Sequence, residues 1–586
     1  MTNTTVLNKA ADNIRILAAS MVEKAKSGHP GGAMGGADFV NTLFAEFLVY
    51  DPSDPKWINR DRFFLDPGHM SPMLYSVLAL TGKFTLDELK QFRQWGSPTP
   101  GHPEVDVMRG IENTSGPLGQ GHAMAVGAAI AERFLVARFG DWMAHKTYAF
   151  ISDGGIQEEI SQGAGRIAGY LGLNNLIMFY DSNDIQLSTD TDAVTKEDTA
   201  AKYRAWGWNV LEINGNDADA IRGALIEAGQ EQSRPTLIIG KTIMGKGVVT
   251  EEGQSYEGKC STHGQPLSAA GASFAKTIAH LGGNPDEPFA IFPEVEKLYA
   301  DRKAELLKVA ADRKAKQAAW EKENPELAVK LHQFFSGKAP EIDYKAIAQK
   351  PGIATRAASA NVLAVFAEQI ENMIVSSADL ANSDKTDGFL KKTHAFKSGD
   401  FTGAFLQAGV SELTMAAIMN GMMLHGGVIG ACGTFFVFSD YMKPAARMAA
   451  LMEVPVKYIW THDAFRVGED GPTHQPVEQE AQIRLLEQLK NHHGKNSMLV
   501  LRPADGPETS VAWKLAMENT ETPTALILSR QNIKDLPAAS GDRFEEALQA
   551  AKGAYVVIKD ENPDVVLVAN GSEVSTLAEA APLLNE

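Results

Sequence analysis

Two polar clusters carry the strongest chemical signal in this chain: Ser152-Asp153-Gly154 and Asp181-Ser182-Asn183. Each follows a short apolar run that reads as a buried strand. In an open parallel sheet such strand tips lie side by side, outside the carboxyl ends where ligands bind. A carboxylate (Asp153), an amide oxygen (Asn183) and a backbone carbonyl (Ile185) are hard oxygen ligands suited to magnesium or calcium, and magnesium completes its octahedron with phosphate and water. Gly154 and Gly155 let the backbone approach that phosphate. The competing account is a pair of polar strand ends with capping roles. Ser115-Gly-Pro-Leu-Gly-Gln-Gly121 runs into an apolar helix from His122 to about Phe139. Glycines before a helix N-terminus suit an anion or a flat ring against backbone, although an ordinary turn and cap has the same composition.

Six of the fourteen histidines sit among Gly, Pro, Ser and Thr: His29, His69, His102 and His263 early in the chain, His462 and His474 later. Together they argue for a polar pocket that handles hydroxyls and protons near neutral pH. Asp470 and His474 share a loop stiffened by glycine and proline. Glu412 opens a charge-free stretch, where a carboxylate is either salt-bridged or held protonated by desolvation. Phe435, Phe438 and Tyr441 recur every three residues and read as a ring clamp or as core packing.

The elements that must position these residues follow from apolar periodicity. Runs at 147–152, 176–180 and 237–240, separated by a helix over 158–171, predict βαβ units with a parallel sheet flanked by helices. A Lys/Ala/Glu-rich stretch over 299–331 predicts surface helices. The expected domains are 1–335, a linker over 336–352, a second α/β domain over 353–540, and the start of a third over 541–586. Strands are predicted in the second at 373–377, 428–432, 456–460, 498–501 and 525–528, and in the third at 564–569, followed by a helix from Val574. At about 150 residues per domain, 586 residues suit this division.

Composition excludes several classes. The 73 acidic against 55 basic residues give a net charge of −18, which opposes a nucleic-acid groove but leaves room for a local phosphate site. Two cysteines, Cys260 and Cys432, exclude a disulfide framework and predict a reducing, cytoplasmic setting. The 27 uncharged residues from Leu413 to Ser439 contain Asn420, His425 and five glycines, so they predict helix, turn and strand rather than a membrane span. Gly240–Gly247 resembles a P-loop but has glycine where the magnesium-binding hydroxyl belongs, and Met124 spoils a dinucleotide fingerprint at Gly119-Gln-Gly121.

In their order, SGHPGG, GPLGQG, SDGG, YDSN, GVSELTMAAIMNG, GEDGPTHQP and LSRQN resemble the transketolase family nearly end to end, with the match breaking off in the third domain. The resemblance implies thiamine diphosphate with Mg2+ or Ca2+, two thiamine-diphosphate-binding-type domains, and a homodimer with active sites at its interface. It implies metal ligation by Asp153, Asn183 and the Ile185 carbonyl. Gly154, His69 and His263 would contact the diphosphate, with Gly116 and Leu118 lining the site and Phe435, Phe438 and Tyr441 around the aminopyrimidine. Glu412 would protonate its ring nitrogen, and Glu158 would approach Glu412 across the dimer. His29 and His263 would handle the proton of the cleaved hydroxyl, His102 the donor's terminal hydroxyl, His474 proton transfer, and Asp470 the acceptor's C2 hydroxyl. Arg356, Ser383, His462 and Arg530 would grip the substrate phosphate. The implied reaction moves a two-carbon unit between sugar phosphates, with no nucleic acid or membrane involved. Other thiamine-diphosphate ketolases and a non-catalytic relative are the alternatives. The chain departs from the family pattern at Ser411 and Leu413 beside Glu412, at Ser152, and at Ala464-Phe465-Arg466.

Overall fold

The structure is a computed structural model describing residues 2–585, with Phe465 and Asn585 described by their backbone alone. It comprises two compact units, Met1–Pro325 and Glu326–Glu586. Each is built on one all-parallel sheet.

The first sheet contains β1 (Arg62–Leu65), β2 (Thr147–Ser152), β3 (Leu176–Ser182), β4 (Asn209–Asn214) and β5 (Thr236–Lys241), in the order β1-β2-β3-β5-β4. Helices cover its faces, so β2 and β3 are buried along their whole length and read as unbroken apolar runs. The register sets Ser152 beside Asp181, which brings the two polar strand tips together. β1 and β4 are the edges. β4 is half-exposed with polar residues along it, and β1 has four residues behind a charged stretch, so neither announces itself in the sequence.

The second sheet contains β6 (Met373–Ser377), β7 (Phe405–Gln407), β8 (Ile429–Phe435), β9 (Lys457–Thr461), β10 (Leu499–Leu501) and β11 (Thr524–Leu528), ordered β10-β11-β9-β8-β6-β7. The charge-free stretch folds as the helix Glu412–His425, then β8, then a turn of 3-10 helix. The Lys/Ala/Glu-rich region forms the helices Pro293–Glu323 and Pro325–Phe335. Among the described residues, no helix is long and apolar enough to cross a membrane.

The strand expected at 564–569 does not form. Val565, Val566, Leu567 and Val568 are exposed and carry no regular structure. A strand needs a neighbour for its backbone groups, and among the described residues no strand pairs with this run. The helix after it does form, as Glu573–Ala580. Ahead of that helix, Gly571 donates its N–H to the Arg502 carbonyl (3.1 Å).

Candidate active site

Three neighbouring strands of the first sheet end where its chemistry gathers. β1 leads to His69, β2 to Asp153 and Gly154, and β3 to Asn183 and Ile185. Asp153 is buried and firmly held. The Tyr180 hydroxyl donates to its Oδ1 (2.5 Å), while the backbone N–H groups of Asn183 and Asp184 donate to Oδ2 (3.0 Å each). Burial raises its carboxyl above the usual range, and these three donors oppose the rise. Asn183 Oδ1 accepts the Ile185 N–H (3.1 Å), and Asn183 Nδ2 donates to Asp181 (3.0 Å). Tyr180 is not apparent from sequence, because its hydroxyl is masked by its place in an apolar strand.

Four histidines converge beside these tips. The His29 ring lies 5.2 Å from His69, 5.8 Å from His263 and 6.5 Å from His102, and His69 stacks on His263 at 5.2 Å. Glycine makes the convergence possible. A Cβ on Gly31 would fall 2.7 Å from the Thr262 carbonyl oxygen, and one on Gly68 would fall 2.7 Å from the Ser115 carbonyl carbon. Burial favours the neutral form of all four rings. His29 is brought down to about 4, with His263 and Arg93 adding to the effect; His69 lies well below its ordinary value, and His102 and His263 are lowered. Glu158, half-buried between two helices, is raised by burial and by its neighbour Glu159.

The donor set fits a diphosphate with a divalent metal. A carboxylate offers about four acceptor positions, and Asp153 uses three on internal donors. Among the described residues, no group of three His, Cys, Asp or Glu side chains could hold a metal unaided. A metal here would need neutral oxygens beside Asp153, such as the Asn183 amide and the Ile185 carbonyl, together with phosphate, as magnesium commonly does. His29 Nδ1 and His263 Nδ1 are buried without partners. A Cβ on Gly154 would meet only the Leu118 side chain (3.0 Å), and Gly116, at φ +154, faces the His102 ring. The N-terminus of the helix Gln120–Phe139 follows the turn-and-cap account of this stretch: N–H groups there face the chain's own Asp66 rather than an external anion.

The second sheet gathers a complementary set at its carboxyl edge. β11, β9, β8 and β6 are consecutive neighbours and deliver Arg530, His462, Phe435 and Ser383. Phe435 packs on His462 with ring centres 3.7 Å apart and on Phe438 at 6.0 Å; Phe438 meets Tyr441 at 6.0 Å and His474 at 5.4 Å. Tyr441 is 62% exposed. Arg356 donates to the Ser383 carbonyl (2.8 Å) and lies 3.4 Å from His462 Nε2. His462 is brought down to about 3 by burial, with Arg356 and Arg530 adding to the effect. Arg530 pairs with Glu469 on the loop that also carries Asp470 and His474.

Glu412 opens its helix half-buried, and burial raises its carboxyl. Ser411 gives that helix no side-chain cap. Arg466 donates to Thr576 (2.6 Å) on the Glu573–Ala580 helix.

Comparison with known proteins gives the family. Residues 6–340 match the family model for the transketolase thiamine diphosphate binding domain, and residues 351–535 match that for the transketolase pyrimidine binding domain. The chain is 42% identical to a transketolase of Geobacillus stearothermophilus, over 98% of this chain and 85% of the relative. It is similar in structure to transketolase from Leishmania mexicana (TM-score 0.91, 37% identity, covering 100% of this chain and 85% of that one). A Pichia stipitis transketolase solved with sedoheptulose 7-phosphate has the same TM-score at 38% identity, covering 99% of this chain and 85% of that one. The chain belongs to the transketolase family, the enzymes that transfer ketol groups with thiamine diphosphate and a divalent metal.

Proposed function

We propose that the enzyme moves a two-carbon ketol unit from a ketose phosphate such as xylulose 5-phosphate to an aldose phosphate such as ribose 5-phosphate or erythrose 4-phosphate, the chemistry of the non-oxidative pentose phosphate pathway. The observation that carries this substrate class is the cluster of Arg356, Ser383 and His462 beside Arg530, two guanidinium groups with a hydroxyl and a neutral imidazole on a chain of net charge −18, Arg530 being paired with Glu469. Planar guanidinium groups offer paired donors to phosphate oxygens. The Pichia stipitis relative, solved with a sugar phosphate, supports the same class.

Thiamine diphosphate, when bound, supplies a nucleophilic carbon and an electron sink for breaking the neighbouring carbon–carbon bond. Asp153, Asn183 and the Ile185 carbonyl hold its metal, with Mg2+ the first choice. His69, His263 and Gly154 hold the diphosphate beside Gly116 and Leu118. Phe435, Phe438 and Tyr441 flank the pyrimidine. Glu412, its carboxyl raised by burial, holds a proton for a ring nitrogen. His29 and His263, whose neutral forms burial favours, accept the proton of the cleaved hydroxyl. His102 binds the donor's terminal hydroxyl, while Asp470 and His474 serve the acceptor. The homodimer completes each site, Glu158 of one subunit approaching Glu412 of the partner subunit. Two cysteines, neither in a disulfide, suit a cytoplasmic enzyme.

The test is a two-stage assay with thiamine diphosphate and Mg2+. Xylulose 5-phosphate alone is expected to release a small burst of glyceraldehyde 3-phosphate, which becomes steady turnover on adding ribose 5-phosphate. Cofactor binding without release from any ketose phosphate would overturn the proposal.

A further inference from the structure

We propose that Asp66 is a positioning residue that holds three cofactor-facing turns of the first unit in register, its side-chain oxygen accepting a backbone N–H at the N-terminus of the helix Gln120–Phe139. This rests on the reading that His69, Gly116, Asp153 and Gly154 belong to the thiamine diphosphate site.

Asp66 follows β1 and is fully buried. Its backbone N–H donates to the Phe150 carbonyl (3.0 Å), extending the β1–β2 ladder, and its own carbonyl accepts the Gly68 N–H (2.8 Å), closing the turn into His69. Its side chain reaches a second turn. The His122 N–H donates to Oδ1 (3.2 Å), and the N–H groups of Gly119 and Gly121 also favour the carboxylate. These belong to the opening of a 20-residue helix whose N-cap, Gly119, has no side chain to offer. First-turn N–H groups lack partners within a helix, and its dipole favours a negative charge there.

The third turn is Asp153–Gly155. A Cβ on Gly155 would lie 2.4 Å from Asp66 Oδ2, and one on Gly121 would lie 2.6 Å from the Asp66 Cα. Glycine backbone therefore closes on Asp66 from two sides. Burial pushes its carboxyl up to about 7 against the pull of the three backbone donors, and Glu158 adds to the rise. A displacement of this one side chain is felt at His69, at the Gly116–Gly121 turn and at Asp153–Gly154 together.

The experiment compares Asp66→Asn, Asp66→Ala and the direct-contact variant Asp153→Ala in the full chain. Tryptophan fluorescence gives the thiamine diphosphate dissociation constant with Mg2+, steady-state assays give kcat at saturating cofactor, and calorimetry gives Tm. Asp66→Ala is expected to weaken cofactor binding about tenfold and Asp66→Asn, which keeps an acceptor oxygen, about threefold. In both, kcat falls far less than affinity. Wild-type affinity in the Asp66 variants alongside weakened Asp153→Ala would overturn the role of Asp66 alone. A kcat that falls in step with affinity and Tm would reduce Asp66 to a structural residue and overturn it too. Unchanged affinity in Asp153→Ala would sink the underlying site reading and the inference with it. If Asp66→Ala does not fold, Asp66→Asn decides, and wild-type affinity there overturns the proposal.

Discussion

Glu412 stands at the first turn of an apolar helix, where two forces on its carboxyl oppose each other. The helix N-terminus favours the anion, whereas burial favours the protonated acid, and burial wins. No charged side chain adjoins it in sequence, since Ser411 and Leu413 flank it. The rise favours the protonated acid, the form that can share a proton. Gln keeps the shape and loses the exchangeable proton. Glu412→Gln is therefore expected to retain cofactor binding while kcat falls by roughly 10²-fold or more. Parallel titration with thiamine diphosphate and the coupled ketol-transfer assay check this, and a wild-type rate would remove Glu412 from the proton chemistry. The residue types at this site were legible because they stand in loops: the histidines among glycines and prolines, Asp153 and Asn183 at strand tips. Tyr180 and Asp66 were not. The first is masked by its strand, and the side-chain partners of the second lie more than fifty positions away.

At the scale of elements, apolar runs showed where the sheets would be, because a parallel strand buried on both faces cannot hide its composition. The edges β1, β4 and β7 escaped for the converse reason, being short or partly solvated. The run at 564–569 was misread because composition supplies β propensity but no partner strand. β9 carries a cost that composition alone does not reveal. Its far end leads into His462, yet its first residue, Lys457, is buried with its ammonium donating to the Asn519 carbonyl (2.6 Å). Burial brings that ammonium down to about 7. An unfolded lysine titrates near 10.4, so between those values the unfolded chain binds a proton that the folded one does not. Stability from this group therefore rises with pH over that window, and its cost is greatest below about 7. Lys457→Met leaves the Asn519 carbonyl without this donor at every pH, so the pH trend is the informative quantity. The change in Tm on substitution should be more favourable at pH 6 than at pH 10, by calorimetry on the cofactor-free protein. An equal change at both would show that Lys457 keeps an ordinary affinity for its proton.

At the scale of the whole molecule, the chemistry is split between the two units. Asp153, Asn183, Ile185 and the four histidines belong to the first; Glu412, the rings of Phe435, Phe438 and Tyr441, and Arg356 and Arg530 belong to the second. If each site combines the first unit of one subunit with the second unit of its partner, two dead variants can rescue one another. Asp153→Ala disables the first unit and Glu412→Gln the second. In a heterodimer of the two, one site receives both damaged halves and the other receives both intact halves. Random reassociation makes about half the dimers mixed, each with one working site, so the mixture should regain roughly a quarter of wild-type activity. Co-refolding, or co-expression with two affinity tags, followed by the ketol-transfer assay gives the number. A site built within one subunit predicts the opposite result, because each subunit of the heterodimer would still carry its own lesion and activity would stay at the level of the separate variants.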